Sequence, residues 1–289
     1  MEELYRITSL EGFLSLLVNR RERFVNPIDI WEDTYEGYFL QFLQDEERFM
    51  EIINRLYNVI SKRAYKTTCK NIAKLLSCRY DCYGICWSTV KDSDAMWRIY
   101  SYDKKAIQLI TTEQDIRDML HNAGKEDKDI AIYNVKYDLV NEDQIYDKMI
   151  TPRESLDAAY FHKREAFAHE KEKRVIIHEN KRYEEKTEEL IHLVKAQIAA
   201  SDSADIARVI EDAVNKFYIR KYYNERDRVK EVSLPVDDLQ GYIKGVRIHP
   251  QATDWYAELI RKICEEHRLN YSGKSDLYEK PLSKKKSKR

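Results

Sequence analysis

Short apolar stretches of strand character recur between segments of helical periodicity along nearly the whole chain. Leu4 to Ile7 reads as a strand carrying Arg6. Thr8-Ser9-Leu10-Glu11 then reads as a helix start, with a hydroxyl cap and an acid in the first turn, and Phe13, Leu14, Leu16 and Leu17 form its apolar stripe. Arg23 to Asn26 is extended and Pro27 stops it. Tyr83 to Thr89 is apolar and β-rich, which predicts a buried strand; Asp94 to Tyr100 predicts a short helix bearing Met96, Trp97 and Tyr100. Strands are expected at Ala106–Ile110, Ile130–Tyr137, Val229–Leu234, Tyr242–Ile248 and Leu269–Tyr271, with Asp237-Asp238 as a turn or cap. Helices are expected at Glu113–Asn122, Asn141–Met149 and Ala252–His267, the last with Trp255, Leu259 and Ile263 turned inward. Longer helical patterns run over Tyr38–Leu76, and over Tyr183–Ala200 and Asp202–Tyr223. The expectation is an α+β fold: one domain over 1–278 with helical insertions near 38–76 and 183–224, then a disordered basic tail at 279–289.

The 7 glycines form no cluster, so neither a P-loop nor a GxGxxG dinucleotide turn is present. A formal net charge of -1 gives no global field toward nucleic acid or membrane. No apolar run approaches the ~20 residues that span a bilayer. Five cysteines and no leader pattern point to a reduced, cytoplasmic protein. Cys69, Cys78, Cys82 and Cys86 lack a C-x2-C knuckle, so buried thiols are expected there rather than a metal site.

The chemistry is concentrated in Phe161–His178, which opens as a basic, helix-compatible run and ends in Arg174-Val175-Ile176-Ile177-His178, a strand start. If Glu170-Lys171-Glu172 is extended, Glu170 and Glu172 share one side of it. Paired carboxylates on one face suit chemistry on a positively charged, sugar-like transition state, and they also suit an ordinary charged surface. Lys163, Arg164, Lys171, Lys173 and Arg174 set basic charge around them, which fits an anionic acceptor or a solvated basic face about equally. The candidate set is Arg6, Ser88, Trp97, Tyr100, Glu170 and Glu172, each ordinary alone but ordered as a strand with Arg, a strand with Ser-Thr and a strand opening with Glu-x-Glu.

That order resembles the arginine–serine–glutamate class of ADP-ribosyltransferases, through Tyr5-Arg6, Trp87-Ser88-Thr89-Val90 and Glu170-Lys171-Glu172; Val90 departs from the class's Ser-Thr-Ser. The opening LYRITSLEGFLSLL also resembles the start of DNA-targeting ADP-ribosyltransferase toxins, with Arg6 in place of their His. A resemblance to a bacterial family of domains of unknown function covers nearly the whole chain. Its carriers are Asn26-Pro27, Trp31 to Glu36, Cys86-Trp87-Ser88, Met96-Trp97-Arg98-Ile99-Tyr100 and Lys163…Phe167…Glu170-Lys171-Glu172-Lys173-Arg174, with departures at Glu32 and Phe167. Members of that family are suspected of toxin or phage-defence roles.

The resemblance implies an ADP-ribosyltransferase-like split antiparallel sheet core and NAD as substrate. It places Glu172 on the nicotinamide ribose, Glu170 at the acceptor and Arg6 on the pyrophosphate. Ser88 would brace Glu172, with Thr8, Trp97 and Tyr100 lining the nucleotide site. The acceptor would be nucleic acid or protein, with an antitoxin or defence-system partner and no membrane. Two other readings stay open: a metal-dependent nuclease using Asp33, Glu36, Glu170 and Glu172, and a non-catalytic interaction protein using the two long C-terminal helices.

Overall fold

The computed structural model of the chain describes residues 2–31, 33, 35, 47, 50, 51, 54, 65–140, 160–179, 182–200, 205–219 and 229–279. The helix expected at 141–149, much of the one at 38–76, part of that at 202–223 and the tail from 280 lie outside the described residues. The chain is mixed α+β with a mixed sheet. It forms two compact units: Met1–Glu22, Trp87–Gly124 and Leu234–Arg289 in the first, Arg23–Cys86 and Lys125–Ser233 in the second. Strands β2 (Arg21–Val25), β3 (Cys82–Ser88) and β9 (Glu231–Pro235) each contribute residues to both.

In the first unit, β1 (Glu3–Thr8) runs antiparallel to β4 (Ile107–Thr112) in unbroken register from Glu3↔Thr112 to Thr8↔Ile107, and antiparallel to the end of β3 through Tyr5↔Ser88. β10 (Gly245–Ile248) pairs antiparallel with β4 on its other edge and parallel with β11 (Tyr271–Lys274). All of β4 is buried, as a central strand covered on both faces should be. The helices start where the hydroxyls and acids are. Ser9 caps α1 (Leu10–Asn19) by accepting the Gly12 N–H, and Asp238 caps the one-turn helix Leu239–Tyr242 by accepting the Gly241 N–H. Ser93 caps the helix Asp94–Tyr100 and Thr112 caps Glu113–Asn122 in the same way.

Two expectations fail here. Tyr242 belongs to the Asp238-capped helix, so β10 starts only at Gly245. The last helix, Asp254–Glu266, buries the row Tyr256, Ile260 and Cys264, while Trp255 is 63% and Leu259 40% exposed. Successive helix positions are about 100° apart, so the choice between adjacent i, i+4 rows is one of phase. Tyr256 settles it, because its hydroxyl reaches the Lys105 carbonyl at 2.5 Å while its ring stays buried.

In the second unit the strand order is β5 (Ile130–Asn134), β8 (Glu172–His178), β3, β2 and β9. β5 and β8 are antiparallel from Ile130↔Ile177 to Asn134↔Lys173. The expected strand over 130–137 breaks at Val135, whose N–H goes to the Glu172 carbonyl, whereas the next N–H, that of Lys136, goes to the Phe161 carbonyl. The chain thus changes partner, and β6 (Lys136–Leu139) pairs parallel with β7 (His162–Arg164) as a separate two-stranded sheet. The helix Tyr65–Asp81 runs past the expected end at Leu76 straight into β3. It packs with Arg182–Ala200 and Ile206–Ala213 around Ile72, Leu190, Val194, Ile210 and the β8 residue Ile176. Gly84 is required in β3: a Cβ there would lie 2.7 Å from Ile176 and 2.9 Å from the Trp31 ring. Asn26 caps the turn Pro27–Ile30 and also donates to the Arg79 and Cys82 carbonyls, which ties that turn to the helix–β3 junction.

In the first unit the buried Arg247 donates to Asp92, Gln108 and Asp276. Removing it leaves Asp92 and Gln108 without their cationic partner. Arg247→Leu is therefore expected to destabilise the fold by about 3–5 kcal/mol, measured as a lower urea midpoint at unchanged slope.

Candidate functional site

The stretch 161–178 has a different backbone from the expected one. The basic run is β7 followed by a 3-10 turn, Glu165–Glu170, rather than a helix. Glu170-Lys171-Glu172 is not an extended tripeptide. Glu170 ends the turn, Lys171 adopts the left-handed region at φ 46°, and Glu172 opens β8. The two carboxylates meet all the same, because both are gathered by a third side chain. Lys163 Nζ donates to Glu170 Oε2 at 2.5 Å and to Glu172 Oε1 at 3.0 Å.

Strand alternation explains why Lys163 reaches them. His162 and Arg164 leave one face of β7, toward Asp138 and Asp33, and Lys163 leaves the other. The same rule puts Arg174 beside Glu172 on β8, where its Nε donates to Glu172 Oε2 at 2.5 Å and its Nη1 to the Tyr160 carbonyl at 2.7 Å. The Arg174 guanidinium lies 4.0 Å from the centre of the Trp31 ring, and the Lys163 ammonium 4.3 Å from that of Phe167. Lys163, Glu170, Glu172 and Arg174 are all more than nine-tenths buried. From β6, the Tyr137 hydroxyl accepts the Glu172 N–H at 2.7 Å.

Burial and geometry push the two carboxyls in opposite directions. Burial, together with a hydrogen bond shared with Glu172, raises the Glu170 carboxyl well above the usual carboxylate range against the pull of Lys163. Burial also works upward on Glu172, but the Arg174 charge, the hydrogen bond from Glu170, the Lys163 charge and the Arg174 hydrogen bond outweigh it and hold Glu172 below that range. One proton on Glu170, shared toward an ionised Glu172, is the resting arrangement this favours. An acid and a base then sit side by side, and with Glu170 protonated the four groups carry one net positive charge.

The other expected residues lie in the first unit. Arg6, on β1, donates to Glu22 at 2.8 Å and stacks 4.7 Å from the Trp87 ring centre; Glu22 also accepts from the buried Tyr242 hydroxyl. Ser88 ends β3, opposite Tyr5, and its Oγ accepts the Val90 N–H. Thr8 ends β1, with its hydroxyl against the place a Gly12 side chain would take. Trp97 is fully buried, edge-on to His249, whereas Tyr100 is 46% exposed. Of the expected set, Glu170 and Glu172 meet through Lys163, whereas Arg6 and Ser88 stand on paired strands but face opposite sides of the sheet, because Ser88 is opposite Tyr5 and Arg6 is the next residue along.

Asp33, taken for a metal in the nuclease reading, is bonded to Arg164; Glu36 lies outside the described residues. Among the described residues no group of three or more His, Cys, Asp or Glu side chains is placed to hold a metal ion. Cys69, Cys78, Cys82 and Cys264 are buried and Cys86 partly so, with burial pushing the Cys69 and Cys264 thiols up to about 12. Cys82 Sγ lies 3.4 Å from His178 Nδ1, an imidazole contact made between remote positions.

In the sequence Lys163 and Arg174 stand only as basic charge around the glutamates, for an anionic acceptor or a solvated face. The signal for Arg174 was its i+2 spacing from Glu172, but nothing local marked Tyr137, Tyr160 or Trp31 as members of the cluster.

The sign of the pH dependence follows from these shifts. Glu170, held high, adds stability in acid that is lost as pH rises through its raised value; Glu172, held low, adds stability above the ordinary carboxylate range that is lost as pH falls through its depressed value. Relative to Glu170→Gln, the wild type should therefore lose stability as pH climbs from the ordinary carboxylate range through the raised Glu170 value. Urea unfolding of both proteins across that window measures it, and parallel profiles would contradict the assignment. No family model matches the chain, and neither a curated protein nor a solved structure matches it.

Proposed function

We propose that the chain is an NAD-consuming ADP-ribosyltransferase, with an ADP-ribosyltransferase-like sheet and with Glu172 and Glu170 as its working carboxylates. One observation carries this reading: two buried, hydrogen-bonded carboxyls whose surroundings drive their proton affinities apart. Environments that separate two like groups in this way are how a protein assigns acid and base roles.

The residues fit the substrate class. An ionised carboxylate offers about four acceptor positions. Glu172 uses one for Lys163, one for Arg174 and one for the proton shared with Glu170, which leaves one for a ribose hydroxyl. When the nicotinamide–ribose bond breaks, its electron pair leaves with neutral nicotinamide and positive charge grows on the ribose. Glu172, bonded to the adjacent hydroxyl, favours that charge. Glu170, once ionised, takes the proton from the acceptor atom as that atom bonds to the ribose carbon. The acceptor is a macromolecule, nucleic acid or protein; the exposed Lys171 beside the carboxylates favours an anionic one. The reading rests on this cluster and not on Arg6, which is engaged by Glu22 and Trp87.

A second reading has its own observation. The four charged side chains are almost fully buried and satisfy one another, as a structural ion cluster that fixes the start of β8 would.

Labelled NAD separates the two. Incubated with RNA, DNA or a cell lysate, the wild type is expected to release nicotinamide and transfer label. Glu172→Gln is expected to lose about 10²-fold or more of that rate. Glu170→Gln mimics the protonated resting carboxyl, so it should keep the fold and lose transfer. A wild type that neither binds nor consumes NAD in any mixture, while both variants merely unfold more easily, would select the structural cluster.

A further inference from the structure

The Tyr137 phenol, which bonds the Glu172 backbone, has no task in the mechanism above. It arrives by the partner change at Val135, which turns the chain from β8 onto β7 and brings residue 137 beside the first residue of β8. Its oxygen accepts the Glu172 N–H, so its proton points elsewhere, and among the described residues no acceptor takes that proton. Lys163, Glu170, Glu172 and Arg174 are buried, but Tyr137 keeps part of its side chain accessible. A molecule arriving at Glu172 therefore meets a carboxylate that can only accept and, next to it, a hydroxyl positioned to donate.

We propose that Tyr137 is a substrate-binding residue that donates its phenolic hydrogen bond to one hydroxyl oxygen of a vicinal diol while Glu172 accepts from the other. This rests on the ADP-ribosyl transfer reading and names the part of the substrate read there, the ribose diol. An adjacent donor and acceptor fit two neighbouring hydroxyls, whereas a lone carboxylate would accept from either without order. The groups that face the phenol keep it a donor. Burial and the Glu172 and Glu170 charges act upward on it, the Glu172 N–H and Lys163 act downward, and the balance lies at about 12. Phenolate is thus absent at neutral pH.

Steady-state turnover of NAD and NAD binding by calorimetry test this with Tyr137→Phe and with 3,5-difluorotyrosine at position 137, which lowers the phenol's pKa. Tyr137→Phe should raise KM and the NAD dissociation constant about 3–10-fold, the loss of one neutral hydrogen bond, with kcat little changed. The difluoro protein should bind as the wild type does in acid and weaken at a lower pH than the wild type as its phenol ionises. A purely structural role, accepting the Glu172 N–H, would be kept or strengthened by that ionisation, so NAD binding would not weaken with it. An active wild type whose KM is unchanged in Tyr137→Phe, or a difluoro protein with the wild-type pH profile, overturns the inference and leaves ADP-ribosyl transfer standing. A wild type that does not bind NAD overturns both.

Discussion

A lysine ammonium shut away from water needs negative partners. Lys163 has two, and the second unit is assembled around that requirement. Leaving a buried charge unpaired costs several kcal/mol, far more than rearranging a turn. The residues between β7 and β8 bend accordingly into a 3-10 turn, and Lys171 accepts a left-handed backbone so that both glutamates face inward. Arg174 then supplies the second cation and takes its remaining neighbours from the Tyr160 carbonyl and the Trp31 ring. The aromatic rings beneath both cations matter because they offer electrostatic attraction without adding another charge to the interior.

The first unit uses the same solution with different residues. Arg247 is enclosed by Asp92, Asp276 and Gln108, which joins β10, β4 and the segment after β11. Arg6 is paired with Glu22 and stacked on Trp87. These arginines are held by neighbouring carboxylates, an amide and an indole ring. In the Lys163 cluster two buried carboxyls are driven in opposite directions, and that asymmetry is the reason it carries the functional proposal.

Much of the element order was legible from the residues, because caps and hydrophobic periods are local. Glu113–Asn122 appears with the expected bounds, and Ser9 and Asp238 cap helices as their side chains suggest. The failures arise where segments remote in sequence decide. The last helix is turned by one position, since its two candidate apolar rows differ by a single step of phase and a tyrosine with a reachable carbonyl decides between them. The strand at 130–137 is cut because its two halves hydrogen-bond to different partners, which residue type alone does not encode.

The candidate site divides along the same line. By itself the sequence determined that a glutamate pair stands beside a strand start with basic residues around it, and that no glycine-rich phosphate loop exists anywhere in the chain. Only the tertiary structure decided which of those charges are interior. Side-chain periodicity relates residues within one element, whereas Tyr137, Lys163 and Glu172 come from three strands joined by a change of pairing partner. Once they are joined, burial raises one carboxyl and a neighbouring arginine lowers the other, so that two glutamates two positions apart acquire different chemistry.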